Sequence, residues 1–119
     1  MTHKAHHPAP WDSLTIYVSG PMTGIPEHNF PAFHSATKLL REMGHTVVNP
    51  AELNPEPGKP WVECMKVDIR EMMQCDTVVC LPGWQESRGA TLEVYIGRAL
   101  GMSIMLIDDF HPATSTLDL

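Results

Sequence analysis

Four short apolar runs, separated by stretches of helical periodicity, constrain this chain more than any other feature. They are LTIYVS (14–19), HTVVN (45–49), TVVCL (77–81) and SIMLI (103–107). Each is too short for a helix and rich in β-branched residues, so each reads as a strand. Gly20-Pro21, Pro50 and Pro82-Gly83 cut off the first three. Between the first two runs, Asn29 stands as an N-cap before Phe30, Phe33, Ala36, Leu39, Leu40 and Met43, which repeat at helical spacing, and Gly44 closes that helix as a C′ glycine. Pro60, at a first helical position, opens a second helix through Gln74 with Trp61, Met65, Ile69, Met72 and Met73 on one stripe. A third runs from Ala90 to Leu100 and ends at Gly101. Segments 20–28, 50–60 and 82–89, rich in glycine and proline, read as loops.

Strand–helix alternation with nearly continuous apolar strands implies a three-layer α/β fold, a doubly wound parallel sheet of four to five strands with helices on both faces. Ligands in such sheets collect outside the carboxyl ends of the strands. Loops 20–28 and 82–89 both follow strands and are expected at that edge. At 119 residues the chain reads as one domain over 14–110. A loose N-terminal arm covers 1–13 and a polar tail 111–119. His3, His6 and His7 in the arm could hold a metal, but a segment without periodicity reads first as a solvated tail.

Charge narrows the function. Eight Lys and Arg against fourteen Asp and Glu give a net charge of −6. That disfavours duplex nucleic acid or an anionic membrane as partner, because both need a cationic face. The longest apolar runs fall far short of the roughly twenty residues of a membrane span. No charged-then-apolar leader opens the chain, so no signal peptide is expected. Three cysteines without metal-type spacing fit a reduced, cytoplasmic setting. Neither a phosphate-binding Gly-x-x-x-x-Gly-Lys-Ser/Thr motif nor a Gly-x-Gly-x-x-Gly fingerprint is present, and no cofactor or resident metal is called for.

Three segments carry candidate chemistry. In Tyr17-Val-Ser19-Gly20-Pro21-Met-Thr23-Gly24, small residues at a strand end let backbone N–H groups approach an anion or a sugar, although a Ser-Gly-Pro turn also serves structure alone. Asp68 lies mid-helix among Met and Ile, where a carboxylate has to face either water or a site. Asp76, at a helix-to-strand junction, reads first as a structural carboxylate that binds its own backbone. In Ser87-Arg88-Gly89-Ala-Thr-Leu-Glu93, Gly89 starts a helix and Glu93 lies one turn in. The helix dipole favours its ionised form, as for a nucleophile or for an exposed acid that contributes about 1 kcal/mol to the helix. Trp84 in the same loop is placed either to stack on a nucleobase or to anchor the loop, while Glu27 and His28 lie at the mouth of the first. Met65, Met72 and Met73 read as core or as a subunit contact.

The order and spacing of Ile16-Tyr17-Val18-Ser19-Gly20, Asp68 with Asp76, and Ser87-x-Gly89-x-x-x-Glu93 before Gly97-Arg98-Ala99 resemble the nucleoside 2-deoxyribosyltransferase superfamily over residues 14–107. The similarity extends to its nucleoside 5′-monophosphate N-glycosidase branch and to small phage and bacterial members. It implies a flavodoxin-like sheet. It also implies Glu93 as the nucleophile at C1′ of a (deoxy)ribose, Asp68 as the carboxylate near the base, and Tyr17 as a hydroxyl beside the sugar. Ser19, Gly20, Pro21, Ser87 and Gly89 would line the sugar and its 5′ substituent, with Trp84 against the base. This is the two-carboxylate scheme of retaining glycosidases. The nucleoside transferases carry a carboxylate where this chain has Ser87. A serine hydroxyl beside Arg88 would accept a 5′-phosphate that a carboxylate would repel. Against that, Pro21, Met22 and Thr23 stand where the monophosphate branch has a basic residue.

The expected activity is therefore release of free base from a (deoxy)nucleoside 5′-monophosphate. Base exchange on nucleosides is the alternative, and non-catalytic nucleotide binding is the alternative of another class. The chain is small enough to leave a nucleoside half exposed, so a homo-oligomer is expected.

Overall fold

The computed structural model describes residues 13–111, and the arm's three histidines and most of the polar tail lie outside them. The strands are β1 (Thr15–Ser19), β2 (Thr46–Val48), β3 (Thr77–Cys80) and β4 (Ser103–Leu106). All pair in parallel, in the order β2-β1-β3-β4, so the sheet has four strands among the described residues. The helices are α1 (Phe30–Glu42), α2 (Pro50–Leu53), α3 (Trp61–Met72) and α4 (Arg88–Ala99). None of them is long and apolar enough to cross a membrane.

The period-2 geometry of a strand sorts its side chains between two cores. Ile16 and Val18 of β1, with Val79 of β3 and the following Leu81, meet Phe33, Ala36 and Leu40 of α1. Tyr17, Val78 and Cys80 point the other way, to Met72, Cys75 and Val94 beneath α3 and α4. The result is the doubly wound, three-layer arrangement expected. Winding reverses between β1 and β3, so the loops that follow these two strands meet at the carboxyl edge. A Cβ on Gly83 would lie 3.4 Å from Cγ of Pro21. One close approach demands glycine and a second is tight. A Cβ at Gly20 would meet Cβ of Leu81 at 2.8 Å, and one at Gly97 would meet Cγ2 of Val78 at 3.1 Å. Gly97 thus lets α4 lie close on β3, and Gly20 lets the two loops pack.

Local details depart from the sequence reading. Segment 50–60 is not all loop. Asn49 accepts a hydrogen bond from the Ala51 amide and caps the single-turn helix α2. Pro60 is the N-cap of α3 rather than its first residue. Asn29 stands at the N-cap position of α1 but does not cap it. Glu27, His28 and Asn29 are all left-handed (φ 56°, 54° and 60°), and the Asn29 amide turns back to donate to the Pro21 carbonyl at 2.9 Å. Of the methionine stripe, Met65 and Met72 are buried and Met73 is exposed. β4 is an edge strand and only partly buried.

Asp76 is structural, and it works at the edge opposite the loops. Its carboxylate accepts from the Thr15 amide (3.2 and 3.3 Å) and the Thr77 hydroxyl (2.7 Å), while its backbone bonds Thr15 and Ser103. One residue thereby ties together the starts of β1, β3 and β4. Asp76→Ala is expected to cost about 1 kcal/mol in urea denaturation, because it removes the acceptor of the Thr15 amide and the Thr77 hydroxyl at a water-exposed strand start. The carboxylates at the far edge should keep their titration.

Candidate active site

The site is built on β1. Tyr17 and Ser19 are two residues apart and so share one face of the strand. Both are fully buried, and both point toward α4. There they meet Glu93, whose position in α4 turns it inward beside Val94 and Gly97. The Tyr17 hydroxyl donates to Oε2 of Glu93 at 2.7 Å, and the Ser19 hydroxyl donates to Oε1 at 2.7 Å. Each carboxylate oxygen therefore has its own short donor.

Glu93 is not the exposed acid of an opening helical turn. Ser87 is the N-cap of α4, Arg88 its first residue, and Glu93 lies in the second turn at 5 % exposure. Burial rather than the helix dipole dominates it. Loss of water pushes its carboxyl up to about 7. The Ser19 and Tyr17 hydrogen bonds oppose that rise and the charge of Asp68 adds to it. Burial, and next the charge of Glu93, push Tyr17 well above the usual phenol range, so it remains a donor.

Asp68 comes from the inner face of α3, 7 % exposed. Burial pushes its carboxyl to about 7 as well, against a hydrogen bond from Asn54 and the charge of Lys59. It lies near enough to Tyr17 and Glu93 for its charge to raise both. Two like-charged carboxyls that share a desolvated site hold one proton between them around neutrality. Glu93 receives two hydroxyl donors and Asp68 receives one amide, so the pair favours an ionised Glu93 and a protonated Asp68.

The rim is formed by the two loops. The Ser87 hydroxyl oxygen caps α4 by accepting from the Ala90 amide at 3.1 Å, which leaves its own hydrogen free to donate. The amides of Arg88 and Gly89 precede the first helical hydrogen bonds, as at any helix N-terminus. The Arg88 guanidinium lies over the Trp61 ring, 4.0 Å from its centroid. Gly89 has Met65 and Trp61 against the position a Cβ would take, so its small size also serves α3–α4 packing. Trp84 packs on the core cluster that contains Tyr17, as a loop anchor does, and its buried indole N–H has no partner among the described residues. Gly20 and Pro21 line the first loop, and Glu27 and His28 are exposed.

Sequence alone does not point to Asn54 and Lys59. The Asn54 amide donates to Oδ1 of Asp68 at 2.8 Å, and Lys59 Nζ donates to Oδ1 of Asn54 at 2.7 Å. Both residues fall in the proline-rich segment with no periodicity to single them out.

A raised carboxyl carries a stability consequence. The folded Glu93 holds its proton to about pH 7, whereas an unfolded glutamate releases it near 4.5. Folding therefore takes up a proton between these values, and this contribution to stability is full below pH 4.5 and lost as pH rises through 7. Glu93→Gln removes the charge while keeping the shape. Its Tm relative to the wild type should be several degrees higher at pH 8 than at pH 5, which scanning calorimetry at the two pH values checks. The underlying difference is on the order of 3 kcal/mol.

No curated protein matches the chain. A solved structure of the 2-deoxyribosyltransferase from the psychrotolerant bacterium Bacillus psychrosaccharolyticus superposes with a TM-score of 0.60 at 23 % identity, over 77 % of this chain and 70 % of that one. The sheet and its flanking helices thus follow the fold that the sequence resemblance implied. A family model described as a domain of unknown function, DUF4406, matches residues 14–106. With that match spanning most of its length, the chain belongs to the DUF4406 family.

Proposed function

We propose that the protein cleaves the N-glycosidic bond of a nucleoside 5′-monophosphate, with Glu93 as nucleophile and Asp68 as acid. One observation carries the reading. Glu93 is a buried carboxylate with a hydroxyl donor on each oxygen, beside a second carboxyl that keeps its proton near neutrality. Such a pair is costly for a fold that only needs to pack, and it supplies both groups that glycosidic cleavage requires.

In the first step a Glu93 oxygen attacks C1′ of the sugar, and the C1′–N bond breaks with its electron pair going to the base. Asp68 gives its proton to the departing base. The Tyr17 and Ser19 hydrogen bonds hold the nucleophile in line and weaken as its charge is spent in the ester. In the second step water attacks C1′ and gives a proton to the Asp68 carboxylate, and Glu93 leaves as its anion. A second base in place of water would give base exchange, the reaction class named for the Bacillus psychrosaccharolyticus structure.

The preference for a 5′-phosphate rests on the α4 N-terminus. The free hydrogen of Ser87 and the adjacent amides of Arg88 and Gly89 suit an anion. Pro21 flanks the sugar in this reading, and Trp84 anchors the loop that carries Ser87. The expected homo-oligomer draws support from Val62, Leu92 and Tyr95, which are exposed on α3 and α4.

The test is chromatography of free base released from ribo- and deoxynucleosides and their 5′-monophosphates, with and without an acceptor base. The wild type is expected to release base from monophosphates and Glu93→Gln to release none. Asp68→Asn should lose roughly 10²–10⁴-fold in kcat with a modest change in KM. Ser87→Asp should weaken monophosphates and spare nucleosides. Exchange on nucleosides alone would make the protein a transferase, and binding without release would make it a nucleotide-binding protein. The pH profile should be bell-shaped with its maximum near 7. Below it Glu93 is protonated and not nucleophilic, and above it Asp68 has no proton to give.

A further inference from the structure

Resting on the reading of Asp68 as the proton donor, we infer that Lys59 and Asn54 form a polarity relay that dictates which oxygen of Asp68 carries the transferable proton. The inference follows from the donor and acceptor character of three side chains in a row. The lysine ammonium is donor-only, so the atom of Asn54 that meets Lys59 Nζ at 2.7 Å has to be the amide oxygen. The amide nitrogen is then the end that faces Asp68, at 2.8 Å from Oδ1. An oxygen that accepts this N–H is not the one that donates a proton. The Asp68 proton therefore rides on Oδ2, which takes no donor among the described residues. A flipped Asn54 would set N–H against ammonium at one end and oxygen against carboxylate at the other.

The supports of this relay are structural. Asn54 is 7 % exposed and ends α2, with its backbone amide bonded to the Pro50 carbonyl. Lys59 precedes α3, and its carbonyl accepts from the Cys64 thiol. α2, the turn after it and the start of α3 thus bring a surface cation to a buried carboxyl through one amide. The other ionisable groups that sense Asp68 are Glu93 and Tyr17 across the site and Cys64 on its own helix.

In this arrangement Asn54 and Lys59 are positioning residues, with no contact to substrate required. Without Lys59 the amide is free to turn, and a protonated Asp68 then donates to the Asn54 oxygen instead of to the departing base. The loss falls on kcat rather than KM. The amide and the ammonium both favour the ionised carboxyl, so their removal also delays its titration to higher pH.

The experiment is a ¹³C-detected titration of the Asp68 carboxyl, run beside base-release kinetics, in the full chain and in Lys59→Met, Lys59→Arg, Asn54→Leu and the Lys59→Met/Asn54→Leu double variant. Lys59→Met should move the Asp68 midpoint up by about half to one pH unit. It should also lower kcat about tenfold at constant KM. Lys59→Arg keeps a donor-only cation and should restore both. The double variant should titrate like Asn54→Leu alone, because the lysine acts through the amide. An unmoved midpoint in Lys59→Met, a failure of arginine to rescue, or an additive shift in the double variant would overturn the relay. So would a moved midpoint with unchanged kcat in an active enzyme. If the wild type releases no base while the titrations behave as expected, the proposed reaction falls and the relay stands. The lysine variants lie in a loop outside the core, so the test does not depend on Asn54→Leu folding.

Discussion

A carboxylate taken out of water has to be supplied with donors, and the structure around Glu93 is arranged to supply them. The donors come from Tyr17 and Ser19 on the central strand, whose pleat puts alternate side chains on one face. α4 has to lie close enough to β1 and β3 for the 2.7 Å bonds to form. Gly97 makes that approach possible against Val78 of β3, while Gly89 lets α4 pack against Met65 of α3. Desolvation and hydrogen bonding then compete over the same proton, and the two carboxyls settle near neutrality rather than near 4.

The two aspartates eight residues apart show how fold position assigns roles to identical side chains. Asp68 is on the inner face of α3 toward the carboxyl edge, desolvated and met by one amide. Asp76 is at the amino edge, exposed to water, and bonded to the strand starts. A parallel sheet separates its two edges chemically. One edge gathers the loops and the site, and the other gathers the helix-to-strand returns that need capping. The chain uses a carboxylate for each purpose.

The strands and the three long helices were legible from apolar periodicity, and the turn glycines from their place after each period. Gly44 and Gly101 do adopt positive φ (96° and 84°). At Asn29 an N-cap residue and a loop-closing amide look alike in sequence, and only the left-handed backbone of 27–29 decides between them. α2 leaves no mark in the sequence pattern because a single turn has no period. Spacing and resemblance single out Glu93, but they place it as an exposed first-turn acid, whereas it is buried in the second turn of α4. Position along a helix predicts a dipole effect, while burial depends on what the helix lies against.

The sequence by itself determined the order of elements, the parallel sheet, the meeting of loops 20–28 and 82–89 at one edge, and the candidates Tyr17, Ser19, Asp68, Ser87 and Glu93. These follow from local periodicity, from turn chemistry and from the likeness of short motifs. Only the tertiary structure decided which hydroxyl binds which oxygen, how far burial lifts the two carboxyls, and that Asn54 and Lys59 reach Asp68 in a row. The partners of Glu93 are 74 and 76 residues away along the chain, and the energy of a buried charge is set by everything that excludes water around it. No window of the sequence contains that information.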